Sequence, residues 1–346
     1  MNSAFLQKHI QVGATMINPS GKSAIRTPHQ RFGQSTKMNI SLSTKLSAII
    51  CTVAMAMVAP LAQAEKVAQK YFVSPAEAVA AMADAVKSDD VAKLRAILGP
   101  GGGKLINSGD AVADERRRKE FAANYDTANK VRLEGDARAI VLVGKDEWPM
   151  PIPLVKSTDG WRFDTRQGSD EILKRRIGSN ELAAMEVCRA IVDAQREYVA
   201  KDQDRNGLLE YAPKFVSAPG KRDGLYWETG SNEPQSPLGP LIAAAARDGY
   251  AQPATLPLEP YHGYYYRILT RQGKDAPGGA YDYIVREKMI GGFAVIAYPA
   301  RYGASGIMSF ILNHDGVVYE KDLGKNTAAL AEKMTTFDPD ASWKRP

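Results

Sequence analysis

The chain has 346 residues, 44% hydrophobic and 24% charged, a balance that fits a globular protein and excludes a disordered or collagen-like one. Its formal net charge is +6, yet six of the 45 Lys/Arg residues and none of the 39 Asp/Glu residues fall in residues 1–64, so the rest of the chain is neutral. That neutrality argues against a nucleic-acid partner.

A basic Lys45, an apolar run Leu46–Val58 and small residues at Ala62 and Ala64 follow in the order of a secretory signal peptide, with cleavage expected after Ala64. The run covers 13 residues, short of the roughly 20 that span a bilayer, and Pro60 interrupts it, so no permanent membrane anchor is expected. Residues 38–64 are therefore read as the signal peptide and residues 1–37 as a non-native or disordered extension, with translation starting at Met38; a longer leader from Met1 is the alternative. The location implied is periplasmic or secreted.

Beyond the signal the pattern is α+β in two domains, residues 65–168 and 169–346. The first opens on Ser74-Pro75-Ala76-Glu77, a capping box with proline at the first helical position. Val79, Met82, Ala83 and Val86 then form one apolar stripe. A second helix, Val91–Leu98, stops at Gly99-Pro100, and the GPGGGK segment after it lacks Walker spacing and reads as a turn. A third helix over Ala111–Ala128 carries the mixed-sign run Asp114–Glu120, read as a solvated face. Strands follow over Ala137–Val143, Ile152–Lys156 and Trp161–Asp164, with Asp159-Gly160 as a hairpin turn. Helices followed by a meander ending in Trp-Arg-Phe-Asp resemble the roll of the nuclear-transport-factor-2-like superfamily. Members of that superfamily include enzymes and binding modules alike, so the likeness implies a fold and no activity.

The second domain begins with a polar helix from Ser169, a break at Gly178 and a longer helix from Asn180 to Val199. Cys188, the single cysteine beyond the signal, has the spacing of a buried small hydrophobe in that helix. Next comes D-x-D-x-N-G: Asp202, Asp204 and Asn206 occupy positions 1, 3 and 5 of a calcium loop, with Gly207 at position 6 and Glu210 as an extra ligand. Position 12 is Pro213 instead of glutamate, and an Asp/Asn-Gly turn ending the helix is the competing reading. Residues 213–260 hold eight of the 20 prolines and one short helix, Leu238–Arg247. Strands over Tyr264–Leu269, Phe293–Tyr298, Met308–Leu312 and Val317–Tyr319 then make an antiparallel sheet, which a helix near Lys325–Met334 covers.

The stretches Glu210–Trp227, Tyr261–Gly273 and Gly291–Gly324 resemble an uncharacterised family of bacterial exported proteins (domain of unknown function 2950), a likeness that implies export and leaves the chemistry open. A long helix, an irregular loop and a sheet bearing GFAVIAYP, GIMSF and DGVVYE also resemble the globular half of type IV pilins and pseudopilins, some of which carry calcium loops. In pilins, however, a hydrophobic assembly helix comes first, whereas here a whole domain precedes the long helix.

Catalytic motifs are sparse. Gly303-Ala304-Ser305-Gly306-Ile307 misses G-x-S-x-G at its last position, and only His262 and His314 lie beyond the signal. Tyr264, Tyr265 and Tyr266 form the candidate binding surface for a glycan or peptide, against the alternative of sheet packing. The reading is an exported, soluble, non-enzymatic envelope module that binds a protein or glycan and is stabilised by calcium. The alternative is an envelope hydrolase using Ser305 with a histidine, or a carboxylate pair.

Overall fold

A computed structural model of the protein describes residues 68–203, 205–250 and 259–346. The extension, the signal peptide and Asp204 lie outside the described residues.

The N-terminal layer starts with α1 (Pro75–Lys87), α2 (Val91–Leu98), α3 (Gly103–Ile106) and α4 (Ala111–Thr127). Ser74 Oγ accepts the Glu77 N–H at 3.2 Å, while the Glu77 carboxylate returns to the Val73 N–H at 3.0 Å, one residue earlier than a standard capping box. Asp90 caps α2 through the Lys93 N–H, and Gly99 at φ +67° ends it. The strands β1 (Asn129–Leu133), β2 (Arg138–Val143), β3 (Trp148–Pro149), β4 (Leu154–Ser157) and β5 (Gly160–Phe163) make one antiparallel sheet in the order β1-β2-β4-β5, with β3 also on β2. β1 was not expected, because NKVRL is almost wholly exposed and carries little apolar signal. Val79, Met82, Ile97, Val141, Leu154 and Phe163 form the core between these helices and the sheet.

One helix, α5 (Thr165–Val199), runs for 35 residues where two were expected. Gly178 does not break it. A lone glycine costs only about 1 kcal/mol in a helix, and the side chains on either side are anchored: Arg176 to α3 and Asn180 to the C-terminal sheet.

The C-terminal layer contains α6 (Gly239–Arg247), β6 (Tyr264–Leu269), β7 (Arg271–Gln272), β8 (Tyr281–Asp282), β9 (Ile284–Val285), β10 (Lys288–Met289), β11 (Ala294–Pro299), β12 (Met308–Asn313), β13 (Tyr319–Asp322), α7 (Thr327–Lys333) and β14 (Thr336–Phe337). The main sheet is antiparallel in the order β13-β12-β11-β6, with Ala297 opposite both Tyr266 and Phe310. Every residue of β11 is buried, as expected of a central strand reading AVIAYP. β7 pairs β8 antiparallel and β14 parallel, and β9 and β10 form a hairpin. A second core gathers Val187, Ile191, Leu225, Tyr264, Ile296 and Phe310 beside α5. The fold is α+β, and none of the helices among the described residues is long and apolar enough to cross a membrane.

Candidate functional site

A cavity of about 470 Å³ lies in the N-terminal layer, within the roughly 300–1,000 Å³ of small-molecule sites. Its walls follow from the amphipathic helices. Met82 of α1 and Leu94 and Leu98 of α2 turn their apolar stripe toward Val143 of β2 and Ile152, leaving a gap. Trp148 lines the cavity and is 43% exposed, which places it at the mouth.

Much of the polar lining comes from the run Asp114–Glu120, whose Glu115, Lys119 and Glu120 are exposed as a solvated face requires, whereas Asp114 departs from that expectation. Asp114 is buried, and Arg117 and Arg118 are partly buried and line the cavity with it. Asp110 caps α4 by accepting the Ala113 N–H at 2.9 Å, and this fixes the helix's rotation. Asp114 then accepts the Ser108 N–H at 2.7 Å and an Arg117 Nη1 hydrogen bond at 3.1 Å. Arg118 donates through Nε to Asp89.

Arg176, from α5, lines the cavity beside them. Its Nη1 and Nη2 donate to the Lys104 and Leu105 carbonyls, both at 2.7 Å, while its Nε is buried with no hydrogen-bond partner. Burial, followed by repulsion from Arg117, pushes the Arg176 guanidinium down to about 10, and Asp114 offsets only part of this. A close approach holds the arrangement together: a Cβ on Gly168 of α5 would lie 2.3 Å from the Pro151 carbonyl oxygen, so only glycine lets the helix press against the Pro151–Ile152 segment of the cavity wall.

The residues singled out from sequence lie elsewhere. Tyr264 and Tyr266 are core side chains and not a presented surface. Alternation along β6, the edge strand paired with β11, turns both inward. Their hydroxyls donate to the Met308 carbonyl at 2.9 Å and the Tyr261 carbonyl at 3.3 Å. Tyr265, on the opposite face, is half-buried with its ring 5.6 Å from Tyr298.

Ser305 is fully buried. Its Oγ accepts the Arg301 N–H at 3.0 Å and faces the Arg301 carbonyl at 3.3 Å, while its own carbonyl accepts from Asn180 Nδ2 at 2.8 Å. Gly306 beside it leaves room for the Tyr264 hydroxyl, 2.0 Å from where a Cβ would stand. The GASG segment is thus a turn that fastens α5 to the sheet. His262 packs on Tyr261, and His314 packs on Tyr283 and Phe293.

In the loop after α5, Asp202 accepts the Asn206 and Gly207 N–H groups at 3.0 and 2.9 Å. The Glu210 carboxylate accepts from Asn206 Nδ2 and from Lys288 Nζ, the latter at 2.8 Å. Among the described residues no group of three or more His, Cys, Asp and Glu side chains is placed to hold a metal ion. Cys188 is free and buried, and burial pushes its thiol up to about 12.

No curated protein and no solved structure matches the chain. A family model does, over residues 69–345, which takes in every wall of the cavity and the whole C-terminal layer. The chain belongs to that family, DUF2950, described as a protein of unknown function.

Proposed function

We propose that the protein is an exported, soluble, non-enzymatic binding module of the cell envelope, and that its cargo is an apolar small molecule held in the N-terminal cavity. The observation that carries the reading is the cavity itself. A gap of about 470 Å³ between Met82, Leu94, Leu98, Val143 and Ile152 forfeits the dispersion contacts a filled core would make, and an apolar occupant restores them. The signal-peptide pattern supports export, and the balanced charge beyond residue 64 fits a module with no nucleic-acid partner. Ser305, spent on its own turn, lends nothing to a serine hydrolase.

The test is saturable fluorescence enhancement of the uncharged probe N-phenyl-1-naphthylamine. Wild type is expected to bind it, and Ile172→Trp, which places a large ring at a partly buried lining position, is expected to lose it. No saturable binding, or binding indifferent to Ile172→Trp in a folded variant, would overturn the reading. Export is checked separately by sequencing the N terminus of protein recovered from the envelope, where Glu65 is expected to come first.

A further inference from the structure

Five titratable side chains line the cavity: Arg117, Arg118 and Arg176 against Asp114 and Glu120. Their charges do not cancel. Asp114 is already committed to Arg117 and to the Ser108 N–H, Glu120 lies at the exposed end beside Arg116, and Arg118 is paired with Asp89 outside the lining. Arg176 is left with carbonyl oxygens for two of its nitrogens and nothing for the third. A guanidinium taken out of water without a carboxylate carries a desolvation penalty that hydrogen bonds to neutral carbonyls offset only in part. The two carbonyl bonds fasten α5 to α3, but they leave the guanidinium's charge and its Nε unanswered.

The arrangement makes sense once an anion is added. The apolar walls have low polarisability, so the field of the Arg176 guanidinium, which no carboxylate pairs, is screened less inside the cavity than at an open surface. Arginine also presents a planar fork suited to a two-oxygen anion.

We propose that the occupant of the cavity is an amphipathic carboxylate, its hydrocarbon part lying against Met82, Leu94, Leu98 and Ile152 and its carboxylate facing Arg117, Arg118 and Arg176. The proposal rests on the binding-module reading and adds the head group to it. Arg117 and Arg118 come from one turn of α4 and Arg176 from α5, so the head group is held by side chains of both helices. The field of the guanidiniums selects the charge, and the cavity walls select the chain.

Calorimetric titration with dodecanoate, dodecanol and dodecyltrimethylammonium, each below its micellar concentration, separates head group from chain. Dodecanoate is expected to bind wild type about tenfold or more tighter than dodecanol, the scale of one charge-assisted hydrogen bond, and the cationic amphiphile weakest of all. Arg176→Gln and Arg117→Gln are expected to lose that preference while still binding dodecanol. Arg176 also holds the α3 carbonyls, so if its variant does not fold, Arg117→Gln decides the matter alone. Equal binding of all three amphiphiles, or a preference that survives in a folded Arg117→Gln, would overturn the anionic head group and leave the apolar cavity in place. Failure of every amphiphile to bind would sink the cavity reading itself.

Discussion

Tyr250 donates its hydroxyl to Asp110 Oδ2, joining residues 140 apart in sequence at the N-cap of α4. The same oxygen accepts the Gly263 N–H at 2.9 Å, so one buried carboxylate ties the helix that lines the cavity to the start of the C-terminal sheet. Burial pushes the Asp110 carboxyl above its ordinary 3.8, against the opposing pull of the Tyr250, Ala113 and Gly263 hydrogen bonds.

A raised carboxyl binds its proton more tightly folded than unfolded. Its contribution to stability is therefore fully present below 3.8 and is lost as pH rises through the raised folded value. Removing the Tyr250 hydroxyl deprives the charged form of a partner. Tyr250→Phe is expected to cost about 1.5–3 kcal/mol at neutral pH and only about 0.5–1.5 kcal/mol in acid where Asp110 is protonated. Urea unfolding of both proteins across pH checks this, and a cost independent of pH would contradict it.

Two glycines of α5 should respond in opposite ways to the same change. Gly168→Ala drives a methyl into the Pro151 carbonyl and is expected to destabilise the protein by several kcal/mol, about 1–3 or more for an overpacked site. A Cβ on Gly178 meets nothing within 4 Å, so Gly178→Ala is expected to stabilise by about 0.5–1 kcal/mol through helix propensity. Thermal melting of the two variants tests the pair.

Cys188 should be inert. With its thiol pushed up to about 12 by full burial, it is expected to resist thiol reagents in the native protein and to react at once in denaturant. Its folded value lies above the ordinary 9.0, so its contribution is complete below 9.0 and lost as pH climbs toward 12. Cys188→Ala is expected to flatten the alkaline fall in stability, which melting curves above pH 9 will register.

The Asp202 carboxylate closes the loop after α5 by accepting two backbone N–H groups. Asp202→Ala is expected to lower stability by about 0.5–2 kcal/mol, as the loss of a side-chain cap does. Repeating the melts with added calcium asks whether the loop also takes a metal: a calcium-dependent rise in wild type that disappears in Asp202→Ala would give the carboxylate that second role.

Elements marked by local chemistry were legible in the sequence. Asp90 and Gly99-Pro100 bracket α2, which runs over Val91–Leu98 as expected, and the apolar run AVIAYP marks the central strand β11. The break expected at Gly178 failed because tertiary hydrogen bonds at Arg176 and Asn180 outweigh the preference of one residue. The cavity was hidden for a related reason. Asp114, Arg117 and Arg118 look like solvated charges until Asp110 fixes the rotation of α4 and α5 brings Arg176 against them from more than fifty residues away. The one available signal was imbalance within DERRRKE, where four basic residues face three acidic ones. The tyrosine run misled in the opposite direction, since alternation that resembles a stacking platform is also how a sheet fills its core.

The uninterrupted course of α5 also makes the two cores interdependent. One end of the helix supplies Arg176 to the N-terminal layer and the rest supplies Asn180, Val187 and Ile191 to the C-terminal one, so a cut within it leaves each fragment lacking part of its own packing. Heat should therefore melt both layers together. Occupation of the cavity, by stiffening one end of a rod that both layers share, should protect the amides of β11 and β12 from hydrogen exchange although the ligand touches neither strand.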